Sequence, residues 1–555
     1  MPPQAFGHGA CTTQVSPALG ARAAGMAAQV EAARPAAGAP VHEPAPPSVL
    51  GKDASRQKQQ RARREQAIID EDPAVHRRRI VRMGAAASIL LLAWCLHGPG
   101  IGAPPRGMVL ASQACLDDAA WGAVARSAAA AREWSIAACG PDGVSAMLGR
   151  GGVDDVIVVA MPNEAGRTRC AAWQRAFRAV DGDPFEDVRW GIVTGPSPDV
   201  AMRIARRTEP VVLAAALGTT PLPTSAFERA TWFSEGVLGE VHRCAGGVWT
   251  VETRSTEQSA TFAQEWSADW TDLIFTSGRS NEMRWLLGYS YPSGRVVPRR
   301  GELWVRDLDG IEMPIRSARS KAMLAAGNCL MAHLRDEDCL AMALLDAGGV
   351  DQLAGYTSVT WDGRAGWGCA RWFMDEPGRW SLADAVHWSR AELLAQMQRS
   401  HPDDVHRVVD AFDRSSRRDF EAACTAWMSD DSGHSRQRRM GALWDRDAFL
   451  LVGDPARRMA PADGARWWEG GLVWRDGEPW FEVRALSDRA PEAPPAIHVP
   501  AGIRDRVVIR NVGPWCVADS FAMLLDHGTW EAGRTWSVPL WRASEYASDP
   551  TKGTR

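Results

Sequence analysis

Cys329 follows a run of small and apolar residues, AMLAAGN (322–328), and the pattern after it turns helix-like through His333. A thiol where a buried strand ends has two readings. Cysteine is a common small core residue. Open α/β sheets also carry their working groups at the carboxyl ends of strands. A second strand-like run, TDLIFTSG (271–278), ends just before Arg279, Ser280 and Glu282. A thiol nucleophile needs a nearby proton acceptor and backbone donors for an oxyanion. Two adjacent strand ends supply that geometry, with the peptide N–H groups of Cys329 and Ser280 as candidate donors. His333 lies four residues after Cys329, and a helix starting at Cys329 puts both on one face; capping or surface exposure is its bland alternative. Glu282 is placed to pair with Arg279 or Arg284. Asn328 reads as a turn residue that could orient a partner, Cys339 as a core position, and Asp454 as a turn that ends a strand.

The elements that must position these groups alternate in type. Strand-like runs cover residues 154–162, 189–195, 209–218, 271–278, 320–328 and 351–360. Several are continuously apolar, as strands covered on both faces are. Helical patterns at 197–207 and 335–348 lie between them, and two longer ones follow at 381–400 and 403–428. Ser381 and Asp384 are spaced for a capping box. The alternation predicts an α/β fold with a mostly parallel sheet flanked by helices. After residue 460 the character changes: GGLVWRDGEPWFEVRAL reads as a hairpin with an Asp-Gly turn, and short strand-like pieces continue. That predicts a small all-β, immunoglobulin-like sandwich.

With 555 residues, two or three domains are expected. Residues 1–76 are rich in Ala, Pro and charge and form a disordered leader. Residues 77–104 hold an arginine cluster and then about 20 residues of apolar or small character, barely a bilayer's width. The positive side marks the N-terminus as cytoplasmic. This segment is an uncleaved signal-anchor, a cleaved signal from a later start, or a buried core helix. The expected location is therefore the cell membrane, single-pass with the C-terminal domains outside, or export. Residues 105–460 form the α/β domain, 461–547 the sandwich and 548–555 a tail. A net charge of −4 gives no field to recruit nucleic acid. The 26 tryptophans are scattered, which favours packing over a sugar-stacking platform. Nine cysteines follow the apolar segment; disulfides are permitted outside the cytoplasm, and an odd number leaves one thiol over. No paired Cys or Cys/His spacing suggests zinc.

At the two strand ends the sequence resembles the gingipain-like peptidases, a branch of the caspase-like cysteine peptidases. In that group a TSGH or GHG segment supplies a histidine at one strand end and a second strand delivers the catalytic cysteine. The resemblance continues in order through AGGVDQLAGYTSVTWDGRAGWG (347–368), SLADAVHWSRAELLAQM (381–397) and LWDRDAFLLVGDPARRM (443–459). It implies a caspase/gingipain-like fold, with Cys329 matching the nucleophile and Arg279 standing at the histidine position. Arginine stays protonated and cannot accept a thiol proton. It can lower a thiol pKa as a neighbouring cation. Lost proton transfer costs a factor of about 10²–10⁴. The resemblance thus implies a cysteine peptidase homologue acting on peptide or protein substrates, impaired at its base. The alternatives are a pseudopeptidase that binds peptide or protein without cleaving it, and a surface protein with Cys329 in a disulfide. No essential cofactor is implied, although calcium sites occur in the family. The other expected partner is the membrane, through one N-terminal helix.

Overall fold

The computed structural model describes residues 106–149, 152–222, 226–409, 417–428, 433–526, 528 and 530–541. The leader, the arginine-flanked apolar segment and the C-terminal tail lie outside the described residues. No helix among the described residues is long and apolar enough to cross a membrane.

The long apolar runs do become strands. Twelve build the main sheet: β1 (Gly107–Ala111), β2 (Ser135–Ala138), β3 (Asp155–Val159), β4 (Arg189–Val193), β5 (Ala215–Gly218), β6 (Arg229–Phe233), β7 (Glu240–Ala245), β8 (Val248–Thr253), β9 (Leu273–Thr276), β10 (Lys321–Ala325), β11 (Val350–Tyr356) and β12 (Phe449–Gly453). Their order is β2-β1-β3-β4-β12-β11-β10-β9-β5-β6-β7-β8. Two parallel blocks meet where β11 and β12 run antiparallel, and β7 and β8 finish one edge as a meander. All residues of β3, β9, β10 and β11 are buried. Helices covering both faces account for this, as in other α/β sheets. The sheet is mixed α/β and mostly parallel, as the alternation predicts.

Local chemistry sets the helix ends. Pro198–Arg206 starts on the Ser197 cap, with Asp199 in its first turn and Arg203 and Arg206 in its last. Leu382–Ser400 starts on a capping box in which the Ser381 hydroxyl accepts from Asp384 N–H and the Asp384 carboxylate accepts from Ser381 N–H. This helix is buried along most of its length, so it serves as a core element between sheet and surface.

Several boundaries differ from the sequence reading. Residues 329–332 form a turn, not a helix, because the chain hydrogen-bonds sideways: Leu330 N–H donates to Ser358 and Ala332 N–H to Tyr356. The next helix is only Leu340–Leu345. The 209–218 run splits. Val211–Leu213 leaves the sheet to pair with Met459–Pro461, and Asp272 Oδ2 accepts the N–H groups of Ala214 and Ala215 at the break. In place of one helix over 403–428 there are a short 3₁₀ turn at Pro402–Asp404 and a helix at Arg417–Thr425. A helix at Gly433–Ala448, not foreseen, leads directly into β12.

The larger omission is a five-stranded antiparallel sheet between β9 and β10. Its strands are Ser280–Asn281, Arg284–Leu286, Arg295–Arg299, Glu302–Arg306 and Glu312–Ile315. Arg300 and Gly301, at φ 51° and 78°, make the tight turn of its central hairpin.

Beyond residue 460, Trp468–Arg475 and Glu478–Ala485 pair through an Asp476-Gly477 turn with both residues at positive φ. With Thr535–Pro539 they form a three-stranded sheet. A four-stranded sheet (Ala496–His498, Arg510–Val512, Trp515–Val517, Phe521–Leu524) shares a core with it, including Trp468, Phe481, Val517 and Leu524. Eight tryptophans are among the largest fully buried side chains, so packing accounts for many of the indoles.

Helix Arg364–Met374 lies against the end of β10, and its closest approach is at Gly366. A methyl there would collide with the Ala326 carbonyl, which belongs to the backbone and cannot swing away. Gly366→Ala is therefore expected to destabilise the protein by about 1–3 kcal/mol despite the better helix propensity of alanine. The check is a lowered urea midpoint with an unchanged slope.

Candidate functional site

β9 and β10 are parallel neighbours with Thr276 opposite Ala325, so the turns after them emerge side by side. Two hydrogen bonds join these turns. Asn328 Nδ2 donates to the Gly278 carbonyl at 2.8 Å. Ser280 Oγ donates to the Cys329 carbonyl at 2.6 Å. The backbone of 278–280 is thus held against 328–329, so the turns that carry Arg279 and Cys329 are neighbours. Gly327 permits this approach, since a Cβ there would press on Ser277 at 3.0 Å.

Cys329 stands apart from the other described cysteines. All nine are thiols, none in a disulfide, and eight are buried while Cys329 is partly exposed. Burial pushes the thiols of Cys115, Cys170, Cys424 and Cys516 up to about 12, so they stay protonated and inert. The Cys329 sulfur instead accepts the Thr360 N–H at 3.3 Å, from the loop after β11. A donor aimed at sulfur favours the thiolate. The next residue, Leu330, has φ +58°, a region that a leucine rarely adopts.

The other sequence candidates fall as follows. The Arg279 guanidinium lies over the Tyr289 ring, 4.5 Å from its centroid. Glu282 pairs with neither Arg279 nor Arg284; its carboxylate faces Arg335 at 3.6 Å, and its carbonyl accepts Leu340 N–H. His333 ends the cysteine turn. Burial lowers its pKa, opposed by Glu282, and Nδ1 has no hydrogen-bond partner. It is therefore neutral near pH 7 and can accept a proton. Cys339 is buried at the cap of helix Leu340–Leu345, and Asp454 Oδ1 accepts Ala456 N–H in the turn after β12.

One residue was missed. Glu235, two positions beyond β6, puts its carboxylate at the centre of the neighbouring strand ends. Oε1 accepts the hydroxyls of Thr219 at 2.6 Å and Thr220 at 2.8 Å. Ser277 N–H also donates to the carboxylate. Its carbonyl accepts the N–H groups of Tyr289 and Ser290, which fixes the loop that supports Arg279. Burial pushes the Glu235 carboxyl up to about 7 against these donors. Its one local mark is TWFSEG, an acid two residues after a strand-like aromatic run, which does not show what that strand pairs with.

No family model and no curated protein matches the chain. Among solved structures, the crystal structure of the Arg-specific cysteine proteinase gingipain R aligns over 80% of this chain and 96% of that one, at 10% identity and a TM-score of 0.34. Likeness at that level assigns neither family nor activity.

Glu235 has a consequence for stability. Its folded pKa of about 7 lies above the unfolded value of ~4.3. Between the two, the folded chain binds more protons than the unfolded, so this group's contribution falls as pH rises through the window. Glu235→Gln is expected to be about 1–2 kcal/mol more stable than the natural protein at pH 8, with the gap closing toward pH 5. Urea unfolding at both pH values measures it.

Proposed function

We propose that the chain is a gingipain-type cysteine peptidase homologue with Cys329 as its nucleophile, impaired in proton transfer because arginine occupies the base position. The observation that supports the reading is the pairing of β9 and β10, which sets the turn carrying Arg279 beside the turn carrying the partly exposed Cys329. In this reading the sulfur attacks a peptide carbonyl carbon, the C–N bond breaks, and the leaving amine takes a proton. Water then releases the acyl group.

Backbone geometry supports Ser280 N–H as an oxyanion donor. Leu286 N–H donates to the Arg279 carbonyl, so the Ser280–Trp285 pair makes no ladder bond and Ser280 N–H points away from strand Arg284–Leu286. Proton transfer falls to His333, a neutral imidazole on the cysteine turn. Arg279 acts as a fixed cation that favours thiolate.

A second reading is a pseudopeptidase that holds peptide without cleaving it. The stacking of Arg279 on Tyr289 favours it, because a guanidinium held on a ring is a recognition surface for carboxylates and carbonyls.

A peptide carrying a thiol-reactive group separates the readings. Labelling of the full chain at Cys329 with slow turnover, both lost in Cys329→Ala, is the expected result. Arg279→His should raise kcat/KM by about 10²–10⁴, the value of a restored base. Peptide binding with no turnover in any variant selects the pseudopeptidase, and turnover that survives Cys329→Ala overturns both.

If His333 serves as base, His333→Ala should lower residual kcat by about 10² or more while leaving KM and labelling by a strongly activated electrophile close to unchanged. Equal loss of kcat and labelling would assign the residue to folding of the turn.

A further inference from the structure

A cavity of about 300 Å³ shares no residue with the thiol turns. Three helices wall it: the C-terminal half of Leu382–Ser400, the first half of Gly433–Ala448 and the first residue of Arg364–Met374. Its apolar lining is small, Leu393, Met397 and Ala442, and the rest is polar. Three guanidiniums face it, from Arg364, Arg438 and Arg439, against one carboxylate, Asp404.

That carboxylate is already engaged. Asp404 is buried, Arg439 donates to both of its oxygens, and Arg407 Nε lies 3.5 Å from Oδ1. Arg364 reaches only Asp362, outside the lining, at 3.5 Å, which is long for a charge-assisted bond. Arg438 stands at the exposed rim and acts on Asp362 through space. The cavity therefore carries more positive charge than its acid offsets, in a chain whose net charge is −4. Helix ends add to this. Ser435 lies in the first turn of Gly433–Ala448, where N–H groups and the dipole favour an anion. The last turn of Leu382–Ser400 has the opposite dipole end, but its carbonyls are partly capped: Ser400 Oγ donates to the Gln396 carbonyl and His401 N–H to that of Met397.

We propose that this cavity binds a small, multiply charged oxyanion, pyrophosphate or a phosphate monoester, held by Arg364 and Arg438. Guanidinium forks match phosphate oxygens two at a time, and an anion with several charges can engage both arginines at once. Arg439 is held on Asp404 and serves as a fixed positive wall. Ser435 and Gln396 supply neutral donors to the remaining oxygens. The volume is at the small end for ligand cavities, which suits a compact anion better than a nucleotide. The site uses none of Arg279, Cys329 or His333, so it stands whether or not the thiol is a nucleophile.

Calorimetric titration of the full chain in chloride buffer with sodium pyrophosphate should show one site, and the anion should raise the melting temperature. Arg438→Ala and Arg364→Ala should each weaken binding by about tenfold or more. Arg438 is exposed, so its variant tests affinity without opening the core. Arg316→Ala removes an exposed arginine outside the cavity lining and should bind as the natural chain does. Glycerol 3-phosphate, titrated in parallel, separates the two sources: tighter binding than pyrophosphate assigns a phosphate ester, weaker binding an inorganic anion, and either supports the site. An equal loss in Arg316→Ala would mean unspecific attraction to positive charge and overturns it. So does Arg438→Ala binding as tightly as the natural chain, or no heat and no melting shift up to about 1 mM of either anion.

Discussion

The lateral pairing of β9 with β10 is the constraint on which the rest of the site depends. It fixes which turn residues meet. β10 is buried on both faces, so its register rests on the sizes of the packed side chains and on the bonds of the turns that follow, not on an inside–outside alternation. Register then sets the two turns side by side, and the side-chain hydrogen bonds from Asn328 to Gly278 and from Ser280 to Cys329 follow. The strained φ of Leu330 belongs to the same arrangement. A left-handed leucine costs about 1–3 kcal/mol and persists only where its surroundings over-determine it. Here the N–H groups of Leu330, Ala332 and His333 all have backbone partners, so the turn cannot relax without breaking several bonds.

Much of this was legible in the sequence because buried parallel strands leave a strong mark. DVIVV, KAMLA and VDQLAGY are apolar almost throughout, and each is a central strand. The Ser381–Asp384 box and the Asp476-Gly477 turn were legible because their local chemistry is nearly sufficient to form them. What failed was tertiary in origin. AGNCLMAH has helix-forming residues, yet β11 and the loop after it capture its N–H groups and hold it as a turn. Val211–Leu213 is as apolar as its neighbours and still leaves the sheet, since Asp272 takes the next two N–H groups. The inserted antiparallel sheet was hidden because its strands alternate arginine and glutamate with apolar residues, a half-exposed pattern weaker than a continuous run. That the strands ending before Arg279 and Cys329 run side by side was legible, whereas the place of Glu235 was not, because nothing local ties β6 to β9.

The Tyr289 loop also explains why arginine at position 279 is tolerated by the fold. Its guanidinium is not asked to enter a dry interior; it rests on Tyr289, whose loop hangs from the carbonyl of Glu235. Stacking on an aromatic face suits a weakly hydrated planar cation far better than it would suit lysine. The same loop therefore ties the cation to the strand end that carries the acid.

Charge around these two turns is distributed unequally, and that distribution limits the chemistry available. Arginine supplies a permanent positive charge but no exchangeable proton near neutrality. Burial pushes the Glu235 carboxyl up to about 7 and holds His333 uncharged, so Glu235 can change protonation near pH 7 while the imidazole stays neutral there. The distinction between a slow hydrolase and a binding module then reduces to position. Proton transfer demands approach within hydrogen-bond reach of the sulfur or the leaving nitrogen, whereas binding asks only for complementary charge at the rim. The Thr360 N–H already donates to the sulfur, and a donor in that place favours negative charge on sulfur without moving a proton.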